Sequence, residues 1–314
     1  MFSTEASGSR QIVGVGGRRL EISNLGQVLY PATGFTKGQV LDYYARVAPA
    51  MLPHLEGRPV AMRRFPDGVE APSSFEKNVP RGAPQWIRTI TVPRDGLLTA
   101  PASDRDRPMI DYTLVDDLAS LMWVASLAAL ELHVPQWRVD AEGRPAPADL
   151  LVLDLDPGAP ATMVECCAVA LLARTHLESD GLTPIPKTSG SKGLHVYARI
   201  TNAKIDDPSG YACSLTERLQ RESPDLVVSY GPREQGKGKV LIDWDQNRRA
   251  KVTTAPYSLR GRSRETISTP VTWAEVEAVL RSEDAASLTF GPDTVLERLR
   301  KLGDLFSPLL ADPN

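Results

Sequence analysis

Nine residues near the middle of the chain, Leu150-Leu-Val-Leu-Asp154-Leu-Asp156-Pro-Gly158, have the composition of a buried strand but carry two acids before the turn. Side chains alternate along an extended strand, so Asp154 and Asp156 project on one side with Cα atoms about 7 Å apart. Pro157 and Gly158 stop the strand just beyond them and leave both carboxylates at its C-terminal edge. Alone, such a pair is more often a solvated turn than a site. A second apolar run, Val240-Leu-Ile-Asp243-Trp-Asp-Gln246-Asn, again ends in an acid. Three acids at the ends of two strands are the donor set expected for two Mg²⁺ ions in phosphoryl transfer, because Mg²⁺ takes a few carboxylates plus phosphate oxygens and water.

Between the two runs lies Lys187-Thr-Ser189-Gly-Ser-Lys192-Gly-Leu-His195-Val-Tyr197. A glycine-flanked Ser/Lys loop offers backbone N–H groups, hydroxyls and an ammonium to one anion, which is the chemistry a triphosphate needs. It is not a Walker A loop, since Gly-Lys-Ser/Thr is absent, and Val13-Gly-Val-Gly-Gly17 misses the dinucleotide spacing because position 19 is Arg. Net charge is −3 overall, yet Val227 to Arg264 holds nine Lys/Arg against three Asp/Glu, and Glu265 to Asn314 holds four against nine. The acidic total therefore conceals a basic segment around the third acid, as a polyanion-handling enzyme requires.

The elements that must position these groups can be read in order. Residues 1–10 are small and polar and are expected to be disordered, and Ile12 to Ile22 reads as a hairpin around Gly16-Gly17. A capping box at Thr36/Gln39 opens a helix through Val40, Tyr43, Tyr44, Val47 and Met51. Lys37 sits in its first turn, unfavourably for the helix dipole unless an anion lies close. Residues 58–66 read as a strand delivering Arg63 and Arg64, Pro93 to Pro108 as a long exposed loop, and Leu118 to Leu132 as one apolar helix ending just before His133. After the Asp154/Asp156 strand, helices are expected at about Met163–Glu178 and Tyr211–Arg221, with structural packing from a capping box at Thr272/Glu275 and an amphipathic stretch at 295–305. The fold class expected is α+β, as one catalytic domain over 11–305: an N-terminal lobe to about 145, a metal-binding core at about 146–270, a C-terminal helical part at about 271–305, and a tail at 306–314. Three cysteines without a C-x-x-C fit a reducing cytosol and argue against a structural zinc. With no leader pattern and no run of 18 apolar residues, no membrane is expected.

Asp154-Leu-Asp156-Pro-Gly, Thr188-Ser-Gly-Ser-Lys-Gly-Leu-His195 and Ile242-Asp243-Trp together resemble the three catalytic motifs of the archaeo-eukaryotic primase superfamily. More closely, the chain resembles the polymerase domain of bacterial ligase D and its stand-alone primase-polymerase relatives, of the Prim-PolC type. The likeness runs from about Leu20 to Trp273, through Val28-Leu-Tyr-Pro-Ala-Thr-Gly34, Phe75-Glu-Lys77, Leu132-His-Val-Pro-Gln-Trp137 and Ala255-Pro-Tyr-Ser-Leu-Arg-Gly-Arg262. The resemblance implies a template-using nucleotidyltransferase, often favouring ribonucleotides, with a core sheet related to RNA-recognition folds. It implies Asp154, Asp156 and Asp243 as ligands of Mg²⁺ or Mn²⁺. Arg63, His133, Ser189, Lys192, His195, Gln246 and Arg260 match positions around the incoming nucleoside triphosphate (NTP or dNTP), and Phe75 and Lys77 match template contacts. Lys237 and Arg262 are the further DNA-binding candidates.

The end-joining enzymes of this group hold a downstream 5′-phosphate with an Asn and two Lys. Asn24 and Lys37 match, but Gln27 replaces the first Lys; Ser74 replaces an aromatic before Phe75, and Gly236 stands where an arginine is expected, with Lys237 the nearest cation. On these departures the expected role is short-gap filling in DNA repair on gapped or primed DNA, and the alternative is the end-joining polymerase domain of a ligase D system. A two-metal nuclease would use similar acids without needing the Ser189–Lys192 cradle, and a DNA-binding module would not need three convergent acids. The resemblance also implies a monomer in the bacterial cytoplasm, nucleoid-associated when bound to DNA, with a repair ligase or end-binding proteins as partners. With no nuclease or ligase motif in view, the chain is read as stand-alone or as one domain of a longer protein.

Overall fold

The computed structural model describes residues 10–94, 108–200, 205–229 and 236–310, so most of the expected Pro93 to Pro108 loop lies outside the described residues. The acid strand, Leu150–Pro157, is the middle strand of a five-stranded sheet. Its order is Pro184–Thr188, Leu194–Arg199, Leu150–Pro157, Val240–Asp243, Val227–Val228, antiparallel throughout except for the last pair. The strand can be apolar along most of its length because both faces are covered. Leu151, Leu153 and Leu155 lie in the main core with Cys166, Val169 and Ala173 of the helix Met163–Ser179, while Leu150 and Val152 face a smaller cluster with Tyr197 and Phe306. Period two then carries Asp154 and Asp156 along the face of Leu150 and Val152, away from that helix.

A second sheet, ordered Thr253–Thr254, Ala129–Val134, Pro59–Arg64, Met109–Leu114, Thr89–Pro93, shares the main core, and Ser74–Glu76 pairs with the end of Pro59–Arg64. The N-terminal hairpin forms as read, Gln11–Val15 with Arg18–Ile22 around two left-handed glycines. The long helix Lys37–Leu55 starts at the Thr36/Gln39 capping box, and Trp273–Ser282 starts at the one formed by Thr272 and Glu275.

Two expectations are corrected. The apolar run from Leu118 is not one helix: it ends at Ser126, Ala128 takes a left-handed φ of 58°, and Ala129–Val134 is a strand. Both halves are almost wholly buried, so hydrophobicity could not separate helix from strand, and no Gly or Pro marks the break. Residues 306–310 of the expected tail pack, since Phe306 and Leu309 are buried against Leu150, Val152, Ile185 and Tyr197. Asp304, just before them, accepts from Tyr257 Oη and lies 2.8 Å from His54 Nε2.

Candidate active site

The sheet register sets four polar residues in a row. Lys187 pairs with His195, His195 with Asp154, and Asp154 with Asp243, and directly paired residues share a face. His195 Nε2 lies 3.1 Å from Asp154 Oδ1, and Lys187 Nζ lies 3.1 Å from His195 Nδ1. Burial disfavours the Asp154 charge, but the neighbouring His195, Lys187 and Arg260 override it and hold the carboxyl below its ordinary range. Asp243 accepts from Gln246 Nε2 at 2.8 Å and from the Asp245 amide at 3.2 Å, so the turn of 3₁₀ helix after its strand orients it.

Asp156 makes no hydrogen bond or ion pair among the described residues. Although its side chain reaches solvent, desolvation in the cleft and then the charges of Asp154 and Asp243 push its carboxyl up to about 6. Three acids on one face, with Asp154 raising the pKa of both Asp156 and Asp243, form a donor set of the type a divalent cation neutralises. Among the described residues, however, no three acid, His or Cys side chains close tightly enough to enclose an ion. Asp154 is turned to His195 and Asp243 to Gln246.

The Ser189–Gly193 loop lies directly against this row. Ser189 Oγ accepts from the Ser191 and Gly193 amides at 3.2 and 3.1 Å, which folds the loop and leaves its hydroxyl proton free to donate outward. A Cβ on Gly193 would lie 2.1 Å from the Leu155 carbonyl oxygen, and one on Gly190, whose φ is +68°, would lie 2.6 Å from the Ser268 amide nitrogen. Both positions demand glycine. Lys192 is exposed and without a hydrogen bond or ion pair among the described residues.

The second sheet and a separate two-stranded hairpin, Leu259–Gly261 with Glu265–Ile267, supply the facing wall. Arg260 donates to the Ser189 carbonyl at 2.8 Å and to Thr254 Oγ1, while its Nε, 3.5 Å from Glu131 Oε1, is buried without a hydrogen-bond partner. Glu131 is 2% exposed and also accepts from the Gly261 amide at 3.0 Å and lies 3.0 Å from His133 Nε2. Burial alone would raise its pKa, yet the His133 hydrogen bond and Arg260 bring it down to about 2. His133 thus sits on a strand beside Glu131, with Phe75 edge-on to its ring at 5.4 Å and itself 50% exposed.

The remaining candidates are dispersed. Arg63 bonds Ser73 Oγ, Lys77 bonds the Ala250 carbonyl, and Lys237 and Arg262 are exposed, with Arg262 close enough to lower the Asp156 pKa. Gln246 is turned to Asp243. The basic segment is not an open strip: Arg248 and Lys251 pair with Asp245, and Arg249 stacks on Trp137. Asn24, Gln27 and Lys37 do meet. The Asn24–Gln27 turn accepts the first amides of the long helix, Lys37 N to Gln27 O and Gly38 N to Leu25 O, both at 2.8 Å, so an anion there would be held by side chains. The Lys37 side chain is buried with no hydrogen bond or ion pair among the described residues, and burial and then the nearby Arg64 lower its pKa. Gln27 donates to the Pro66 carbonyl at 2.6 Å, and Arg18 is held by Asp117 and stacked on Trp86.

Sequence reasoning gave no role to Lys187, Glu131 and Thr254, and named Arg64 only beside Arg63 on its strand. Only Glu131 had a visible signal, its alternation with Leu130, Leu132 and His133, and the single-helix reading concealed it.

The family model described as LigD, primase-polymerase domain, matches residues 36–306, which include every acid of the row and the cradle. The chain belongs to the LigD primase-polymerase domain family. Members of this family are DNA-directed nucleotidyltransferases. The multifunctional non-homologous end joining DNA repair protein LigD of Mycobacterium tuberculosis is 41% identical over 307 residues, covering 94% of this chain and 37% of that protein. The bifunctional non-homologous end joining protein LigD of Bacillus subtilis is 27% identical over 297 residues, covering 94% of this chain and 45% of that protein. The chain thus spans less than half the length of these curated relatives. Among solved structures, the polymerase domain from Mycobacterium tuberculosis ligase D in complex with DNA matches with a TM-score of 0.83 and 41% identity, over 94% of this chain and 99% of that one. Among the described residues no helix is long and apolar enough to cross a membrane.

Proposed function

We propose that this primase-polymerase domain adds nucleotides to a primer 3′-hydroxyl while the template and a downstream 5′-phosphorylated end are held together, as the polymerase step of DNA end joining. This reverses the order of the two roles expected from sequence. The observation that carries it is Lys37, a buried cation without a counter-ion among the described residues, set against the Asn24–Gln27 turn and near Arg64 at a helix start where a positive charge is otherwise unfavourable. Such a charge is retained where an anion comes to it, and a terminal phosphate supplies one. Gln27 favours a modest version of this pocket, because its amide already serves the Pro66 carbonyl.

In the reaction, Mg²⁺ or Mn²⁺ held by Asp154, Asp156 and Asp243 would lower the pKa of the attacking hydroxyl and neutralise the triphosphate. Ser189, Lys192 and the amides of the cradle bind the triphosphate, and Arg260, braced by Glu131, closes it from the opposite wall. His195 fixes Asp154 and Gln246 fixes Asp243. Phe75 offers an exposed ring to a template base, and either a ribo- or a deoxyribonucleotide meets the same triphosphate contacts. The test is primer extension on two ends with a short complementary overhang, with and without a 5′-phosphate. Extension that depends on the phosphate, and that disappears in Asp154→Ala, is expected. Equal extension on both substrates, with binding confined to continuous gapped DNA, would return the role to gap filling.

A further inference from the structure

Lys187 stands at the end of the acid row and has no part in the steps above. It is fully buried, at 0% exposure, and faces no carboxylate directly. Its Nζ approaches the Thr254 carbonyl at 3.1 Å, Ser268 Oγ, and His195 Nδ1 at 3.1 Å, with the Thr188 carbonyl farther off at 3.5 Å and the Tyr197 ring 5.7 Å away. Two of the nearer partners can only accept. The Thr254 carbonyl has no proton, and the Ser268 hydroxyl already donates to the Thr188 carbonyl at 2.8 Å. Burial and then Arg260 lower the Lys187 pKa, with Asp154 opposing them, but the Asp154 carboxylate oxygen can only accept from His195 Nε2, so Nδ1 is left to accept from Lys187 Nζ in either charge state of the amine. His195 Nδ1 is then unprotonated, and the imidazole proton lies on Nε2, 3.1 Å from Asp154 Oδ1. The opposite tautomer would set a bare nitrogen against a carboxylate oxygen.

We propose that Lys187 is a positioning residue of the polymerase: by donating to His195 Nδ1 it fixes the Nε2–H tautomer, which donates to Asp154 Oδ1 and leaves Oδ2 unbonded for the metal-side chemistry. The lever is geometric. Lys187, His195 and Asp154 are consecutive partners across three strands, and the backbone ladder on either side sets their spacing. His195 is the partner bonded directly to Asp154, the kind of group whose loss costs roughly 10–100-fold in metal affinity or activity, and Lys187 acts through it. The proposal rests on the metal-dependent reading of the acids for its consequence, though not for the tautomer.

The two parts are therefore measured separately. The full chain, labelled with ¹⁵N-histidine and free of added metal, is examined at neutral pH by long-range ¹H–¹⁵N correlation; it has four histidines, and His195 is assigned by its loss in His195→Gln. The expected spectrum shows one unprotonated nitrogen, Nδ1, and one protonated nitrogen, Nε2. Lys187→Met should lose that pattern, whereas Lys187→Gln, whose amide can still donate, should keep it. In a Mn²⁺ titration followed by calorimetry, the Met variant should bind roughly 10–100-fold more weakly and the Gln variant close to the parent. A parent spectrum with the proton on Nδ1 overturns the proposal without any variant, as does a folded Lys187→Met that keeps both the parent pattern and the parent Mn²⁺ affinity. A parent that shows the Nε2–H form but binds no divalent ion refutes the metal reading while the tautomer assignment stands.

Discussion

Lys37→Met separates a functional cation from a structural one, because the two roles predict opposite signs. In the parent the ammonium is buried, has no counter-ion among the described residues, and lies in the first turn of a 19-residue helix that has no acid there. Removing a positive charge from that end relieves an unfavourable dipole interaction of about 0.3–1 kcal/mol. With unfolding entropy near 2.1 cal/mol/K per residue, that is a rise in Tm of about 0.5–1.5 °C. Against a phosphate the same ammonium contributes a charged hydrogen bond of about 1.5–3 kcal/mol. Arg64 is occupied by Glu76 and the Leu127 carbonyl, and Gln27 by Pro66, so the lower end applies. The parent should therefore prefer a 5′-phosphorylated downstream strand by about tenfold, or 1.4 kcal/mol, and the variant should show no preference. The assay is a salt-matched fluorescence titration on phosphorylated and unphosphorylated ends, run beside thermal melts without DNA. Gln27→Lys should raise the preference above the parent's, by placing a second cation beside the first. A Lys37→Met protein that melts lower, or that keeps the phosphate preference, would refute the pocket.

Lys192→Ala should weaken binding of the incoming nucleotide by about 1.5–3 kcal/mol, one charged hydrogen bond, and leave DNA binding unchanged, as two separate titrations would show. Glu131→Gln removes the buried counter-ion of Arg260 and should cost about 3–5 kcal/mol, a fall in Tm of about 5–8 °C, together with a higher KM for nucleotide. Asp156 predicts a pH dependence. Its folded-state pKa, about 6, exceeds the ordinary carboxylate value, so the metal-free fold binds extra proton between about pH 4 and 6 and loses stability as pH rises through that window. Divalent-ion affinity runs the other way, falling as pH drops below 6, and calorimetry in two buffers should record proton release on binding near that pH.

Local chemistry made much of this protein legible in advance. Asp154 and Asp156 fall on one face because a strand has period two, the cradle needs glycines because its backbone crosses other backbone, and Thr36 and Thr272 begin helices because their side chains and those of Gln39 and Glu275 satisfy each other's amides. These are properties of a few adjacent residues. What depended on the partner strand could not be read locally. Whether Asp243 stands beside Asp154, and whether Lys187 stands beside His195, is decided by register, which joins residues far apart in the chain. The same holds for Glu131: its segment is buried in either conformation, and only its place between Pro59–Arg64 and Thr253–Thr254 makes it a strand that turns a carboxylate to Arg260. At Lys37 the sequence showed a charge in an unfavourable place, and tertiary packing decided that this charge would be buried with no counter-ion among the described residues.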